Sequence, residues 1–198
     1  MVKPFVYYYP LDLAKCEQNR MRDSLKRLEW LLAVPPVERH CSIGRLPSSA
    51  EKGVLAALQE TDLGIRAMKV AEAMSCEIGT LATGEANTRL IPRLVVRCPP
   101  NHPLAQTCLK VYPDARWGLA SCKVLAVVYD EGELALWHEV LHLLGAKDCY
   151  SPQNSGPTCE HPQCIMQYEP KVCEVQGKLP ICPKNIERIR RELSQITD

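Results

Sequence analysis

Long apolar runs are missing from this chain of 198 residues. Nothing in it approaches the ~18 consecutive apolar residues of a transmembrane helix, so no membrane span is expected. An excess of charge of one sign is missing too, since 24 basic and 23 acidic residues leave a formal net charge of +1. That balance argues against a nucleic-acid footprint, and no polybasic segment suits a membrane surface. The first residues, MVKPFVYYYPLDLAKC, lack an apolar core and a small-residue cleavage site, so no signal peptide is expected. No internal repeat or low-complexity segment stands out. With 46% hydrophobic residues the chain has enough apolar material for a core, and one domain over 1–198 is expected.

Cysteine is abundant. There are 11, an odd number, so at least one thiol cannot pair within the chain. Without a signal peptide a reducing compartment, the cytoplasm, is the expectation. There, clustered cysteines more often bind metal than form disulfides. Cys16, Cys41, Cys76, Cys98, Cys108 and Cys122 are scattered and read as small buried hydrophobes. Cys149, Cys159, Cys164, Cys173 and Cys182 crowd into a loop rich in Pro, Ser and Gly over 149–184.

The periodicities give an alternating order of elements. Residues 4–9 read as a strand. Helical spacing from Asp12 to Val34 is stopped by Pro35-Pro36. Two more helical pieces, 49–60 and 62–76, each follow a Ser or Asp cap. RLIPRLVVRC over 89–98 reads as a strand whose proline favours an edge or a bulge. CPPNHPL over 98–104 reads as loop, and CKVLAVVYD over 122–130 as the best strand in the chain. Asp130 and Glu133 have capping-box spacing, so a helix is expected from about Glu131 to Gly145. Asn185 is expected to cap a last amphipathic helix.

The helix ending at Gly145 carries the chemistry. His138 and His142 are one turn apart on one face, with Glu139 between them. This is the H-E-x-x-H arrangement, in which two histidines hold zinc and the glutamate acts as general base. A catalytic zinc usually takes three protein ligands and leaves a position for water. Gly145 lets the chain turn back, and Asp148 follows as a carboxylate ligand. A bland alternative makes the histidines satisfied core residues. Another takes the third ligand from Glu169 or Glu174, with His161 a weaker candidate.

The segment resembles the metzincin zinc peptidases, whose signature is H-E-x-x-H-x-x-G-x-x-H followed by a methionine turn. Asp148 stands where that signature has its third histidine; some small secreted bacterial metzincins are similar in using aspartate there. Cys164-Ile165-Met166-Gln167-Tyr168 resembles the methionine turn. The resemblance implies that Met166 forms an apolar floor beneath the zinc, and that Tyr168 can swing onto the metal or onto the oxyanion. Archaemetzincins are similar in placing a cysteine directly after the third ligand, then C-x-x-x-x-C-x-M, then a C-x-x-C pair, which gives a second, structural zinc. Here Cys149 follows Asp148, and Cys159 to Met166 fits the middle piece. YSPQNSGPTC looks inserted, and the terminal C-x-x-C is replaced by Cys173 and Cys182 alone. The resemblance covers roughly residues 123–183.

What it implies is an α/β (α+β metzincin-like) fold. A small twisted mixed sheet is expected with a long N-terminal helix, an active-site helix over 131–145, a cysteine-rich methionine-turn loop and a C-terminal helix. Residues 1–145 would form the upper part and 146–198 the lower. The implied function is a zinc metalloprotease, a hydrolase of peptide bonds, acting on a peptide or protein substrate as a monomer. Neither nucleic acid nor membrane is an expected partner. A second zinc is expected on Cys149, Cys164, Cys173 and Cys182, with Cys159 as substitute; two disulfides with one thiol left over are the alternative. A catalytically silent zinc module on the same fold, or a cysteine-rich interaction module, are the rival readings.

Overall fold

A computed structural model describes residues 5–78, 92–115, 117–150, 159–167 and 177–194. Through them the chain runs β1 (Phe5–Pro10), α1 (Lys15–Ala33), β2 (Ser42–Arg45), α2 (Ser48–Leu58), α3 (Leu63–Ile78), β3 (Arg93–Arg97), α4 (Pro103–Val111), β4 (Gly118–Ser121), β5 (Leu125–Val128), α5 (Glu133–Leu143) and α6 (Pro183–Ser194). The strands form one mixed sheet in the order β2-β1-β3-β5-β4. β2, β1, β3 and β5 are parallel, and β4 closes the edge antiparallel to β5. The fold class is α/β. No helix among the described residues is long and apolar enough to cross a membrane.

Strand composition explains the layering. β3 and β5 are buried along their whole length, and successive side chains of a strand point to opposite faces. Leu94, Val96, Leu125 and Val127 enter one core, with α2, α3 and α4. Val95, Ala126 and Val128 enter the other, with α1, α5 and α6. Parallel strands apolar on both faces have to be covered on both.

α5 is held along its length. Trp137 is fully buried, and its indole N–H donates to the Ser24 hydroxyl (3.0 Å) and carbonyl (3.2 Å) on α1. Arg93, at the start of β3, donates to the Leu143 carbonyl at the C-terminal end of α5 (2.7 Å) and pairs with Glu192 of α6. The end itself is a Schellman motif. Gly145 N–H bonds the His142 carbonyl (3.0 Å), and Ala146 N–H bonds the Leu141 carbonyl (2.9 Å). Gly145 has φ +93°, as the sequence required of it.

Several expectations are corrected. β3 lies between β1 and β5, in the middle of the sheet rather than at an edge. Pro92 precedes the strand, so its missing N–H removes nothing from the ladder. Asp130 and Glu133 form no capping box: Gly132 is the N-cap of α5, and Asp130 Oδ1 instead accepts from Gly132 N–H (2.6 Å). α2 starts after Pro47 with no side-chain cap, whereas Asp62 does accept from Ile65 N–H (2.8 Å) at α3. Asn185 lies inside α6, not at its cap. β2, α4 and β4 were not anticipated.

Gly145→Ala should cost about 1–2 kcal/mol, because a Cβ is disfavoured at positive φ and would lie 3.2 Å from Glu192 Cβ. Urea unfolding should show a lower midpoint with an unchanged slope.

Candidate metal centre

Helical spacing puts His138 and His142 on one face of α5, with Nε2 atoms 3.1 Å apart. The turn at Gly145 then brings Asp148 Oδ1 to 3.3 Å from each. Donors bound at about 2.0–2.1 Å to a tetrahedral ion lie about 3.3–3.4 Å from one another. The triangle therefore has the size of one face of such a coordination sphere.

The other ring nitrogens fix the tautomers. His138 Nδ1 lies 2.8 Å from the Ile165 carbonyl, and His142 Nδ1 lies 3.1 Å from the Ala146 carbonyl. A carbonyl only accepts, so both Nδ1 atoms carry protons. That leaves two Nε2 lone pairs and a carboxylate oxygen facing one another. Three acceptors at such distances need a cation among them, and a metal ion supplies one without disturbing either carbonyl contact. Burial opposes a charged His142 ring, but the Asp148 carboxylate outweighs it and its pKa rises above the usual histidine value. Burial likewise opposes the Asp148 charge, and the two imidazoles outweigh it, holding this carboxyl well below its usual range.

Glu139 is 4% exposed, and its Oε2 is buried without a hydrogen-bond partner among the described residues. Burial pushes its carboxyl pKa up against the pull of the two imidazoles. It lines the same cleft as the three donors, a space of about 330 Å³ walled by β4 on one side and by Tyr150 on another. Gly118 makes room for it: a Cβ there would come within 2.8 Å of Glu139 Cγ and 2.6 Å of the Val127 carbonyl. Trp117 stacks edge-on to His138, with centroids 5.3 Å apart.

A second donor cluster adjoins the first. The Sγ atoms of Cys149, Cys159, Cys164 and Cys182 all lie within 4.8 Å of one another. Cys149 is 3.6 Å from Cys182 and 3.8 Å from Cys164. Sulfurs at about 2.3 Å from a tetrahedral ion lie about 3.8 Å apart, whereas a disulfide needs about 2.05 Å. All four cysteines are free. Amide N–H groups donate to three of the sulfurs: Asn185 to Cys149 (3.3 Å), Cys182 to Cys164 (3.3 Å) and Gln167 to Cys159 (3.7 Å). Such donors favour thiolate over thiol. Burial pulls the other way, raising Cys149 strongly and Cys164 to about 11. Metal binding at this cluster therefore releases protons.

The fourth corner is taken by Cys159, expected only as a substitute, while Cys173 lies outside the described residues. So do Tyr168, Glu169 and Glu174. His161 is exposed and belongs to neither donor group. Met166 is fully buried, in the core that holds α5. Sequence reasoning missed the Ile165 and Ala146 carbonyls, which are backbone groups and leave no residue signature. It also missed Gly118, Trp117 and Tyr150 along the cleft. No family model matches the chain, and no curated protein matches it.

Asp148→Ala should weaken metal retention sharply in a chelator competition, whereas His161→Ala should match wild type. Retention should also fall as pH drops, and the fall should begin above the usual histidine value of about 6.5, because the raised pKa of His142 lets protons compete for its imidazole earlier.

Proposed function

We propose that the chain is a zinc-dependent peptidase, similar to the metzincins and most like an archaemetzincin with aspartate as third ligand. The observation that carries this reading is a buried carboxylate, Glu139, whose Oε2 has no hydrogen-bond partner among the described residues, in the same cleft as three acceptor atoms spaced for one metal ion. A silent binding module needs the three donors but has no use for a buried carboxylate oxygen left unpartnered beside them. Two imidazoles and a carboxylate suit zinc, and the H-E-x-x-H-x-x-G-x-x-D run with Met166 supports the metzincin likeness. The four-cysteine cluster fits a structural zinc, and four unpaired thiols fit a reducing compartment, the cytoplasm.

Zinc, when bound, lowers the pKa of a coordinated water to about 7 and polarises a carbonyl oxygen. The protein's own groups do the rest. His138, His142 and Asp148 hold the ion, each imidazole oriented by a backbone carbonyl on its far nitrogen. The Glu139 carboxylate takes a proton from water as its oxygen bonds the peptide carbon. It delivers that proton to the amine as the C–N bond breaks. A raised pKa suits this double duty, since an efficient base titrates near the working pH. Among the described residues β4 is the sheet edge beside the cleft, and an extended peptide can pair with it through main-chain hydrogen bonds. Tyr168, two residues beyond Met166, is the candidate to stabilise the oxyanion.

Glu139→Ala should keep its zinc and lose peptide hydrolysis by a factor of 10² to 10⁴ or more. A peptide-library cleavage assay with metal analysis of both proteins checks this. Wild-type protein that holds zinc but cleaves no peptide would leave the silent module standing instead.

A further inference from the structure

We infer that Asn185 is a positioning residue for both donor clusters, acting through the three residues Lys147, Asp148 and Cys149. Its side chain is fully buried in the first turn of α6. The amide pairs with Lys147 in both directions: Oδ1 accepts from Lys147 N–H (2.9 Å), and Nδ2 donates to the Lys147 carbonyl (2.8 Å). The same Nδ2 donates to Cys149 Sγ (3.3 Å). Asn185 thus grips the chain on both sides of Asp148, whose carboxylate completes the histidine triangle. Arg188 also donates to Oδ1 (3.0 Å), which fixes which end of the amide is the acceptor.

The chemistry of the grip is specific to a carboxamide. One planar group must present an acceptor to an N–H and donors to a carbonyl and a sulfur. Aspartate has the same shape and no donor. It would set a negative charge against the Lys147 carbonyl and the Cys149 sulfur. Leucine has similar bulk and neither function. Asp148 gains most from such a grip, because it sits in the irregular segment between α5 and the cysteine loop, where no helix or strand ladder holds its backbone. Partners that orient metal ligands typically contribute 10–100-fold in metal affinity.

The inference rests on the metal-site reading but not on peptidase activity. Cobalt(II) serves as the probe, since thiolate ligands give it a charge-transfer band that separates the cysteine cluster from the histidine site. Asn185→Asp and Asn185→Leu should each bind cobalt at least tenfold more weakly at the histidine site. They should also shift the charge-transfer band of the cysteine cluster. Ile189→Ala, which loosens the packing of α6 and leaves every Asn185 hydrogen bond to Lys147 and Cys149 in place, should lower the melting temperature and leave both affinities within about twofold. Equal affinities in Asn185→Asp, Asn185→Leu and wild type would overturn the inference and make Asn185 a packing residue. Wild type that binds no cobalt would instead overturn the metal-site reading itself. Should neither variant fold, the wild-type protein decides by NMR. The Asn185 side-chain amide should exchange slowly with solvent and shift when cadmium(II) fills the cysteine cluster; a fast-exchanging, unshifted amide refutes the role.

Discussion

A single trans peptide unit, about 3.8 Å from Cα to Cα, separates Asp148 from Cys149, yet their side chains serve different donor clusters. The Asp148 carboxylate faces His138 and His142, and the Cys149 thiol faces Cys164 and Cys182. Neither residue can move without the other. The opposing segment repeats the device. Cys164 supplies a sulfur, and the carbonyl of the next residue, Ile165, orients His138. One residue further, the Met166 carbonyl accepts from Cys149 N–H (2.7 Å) and ties the two segments together. The geometry of the histidine site is therefore set partly by the cysteine cluster, through backbone only a few atoms long.

The scaffold makes that arrangement rigid on its other side. α5 is anchored by Trp137 to α1 and by Arg93 to β3, and its last turn is closed by the Gly145 motif. The imidazoles thus arrive from a fixed helix, while the carboxylate arrives from a segment that needs fixing. β4 completes the cleft because it is antiparallel. A short hairpin with positive φ at both Cys122 and Lys123 returns the chain alongside β5 and makes β4 the last strand of the sheet among the described residues, beside Glu139. At Gly118 that strand comes so close to Glu139 that no side chain fits between them.

Much of this was legible in the sequence, for reasons that differ by element. α1 and α5 announce themselves by periodic apolar residues and a glycine or proline stop, which are local signals. The histidine triangle is legible because its members lie within one helix and one turn. β4 was not legible: its turn uses Cys122 and Lys123, where a glycine or asparagine would have marked a positive φ. The proline signal misleads at β3 because the rule concerns a ladder N–H, and Pro92 lies just before the ladder. Asn185 carries a cap signal because cap preference is a statement about sequence neighbours, whereas the Lys147 and Cys149 groups it holds are about forty residues away. The expectation of Cys173, with Cys159 only as substitute, has the same limit. Cys159 looks like part of an insertion, and only the folded loop brings its sulfur to the other three.

The aspartate at the third position has an electrostatic consequence for the proposed chemistry. Two neutral imidazoles and one carboxylate around a divalent ion leave a net charge of about +1, where three imidazoles would leave about +2. A less positive centre acidifies bound water less strongly. More of the proton transfer then falls to the base. Glu139 is suited to that load: burial raises its carboxyl pKa, and a stronger base takes a proton from a less acidic water more readily. The burial that raises it is itself a product of the fold, since Gly118 lets β4 close over the side chain. In the proposed chemistry the acidic third donor, the buried glutamate and the glycine on the edge strand are thus one balanced set. Replacing Asp148 by histidine would alter the demand on Glu139 as well as the donor set.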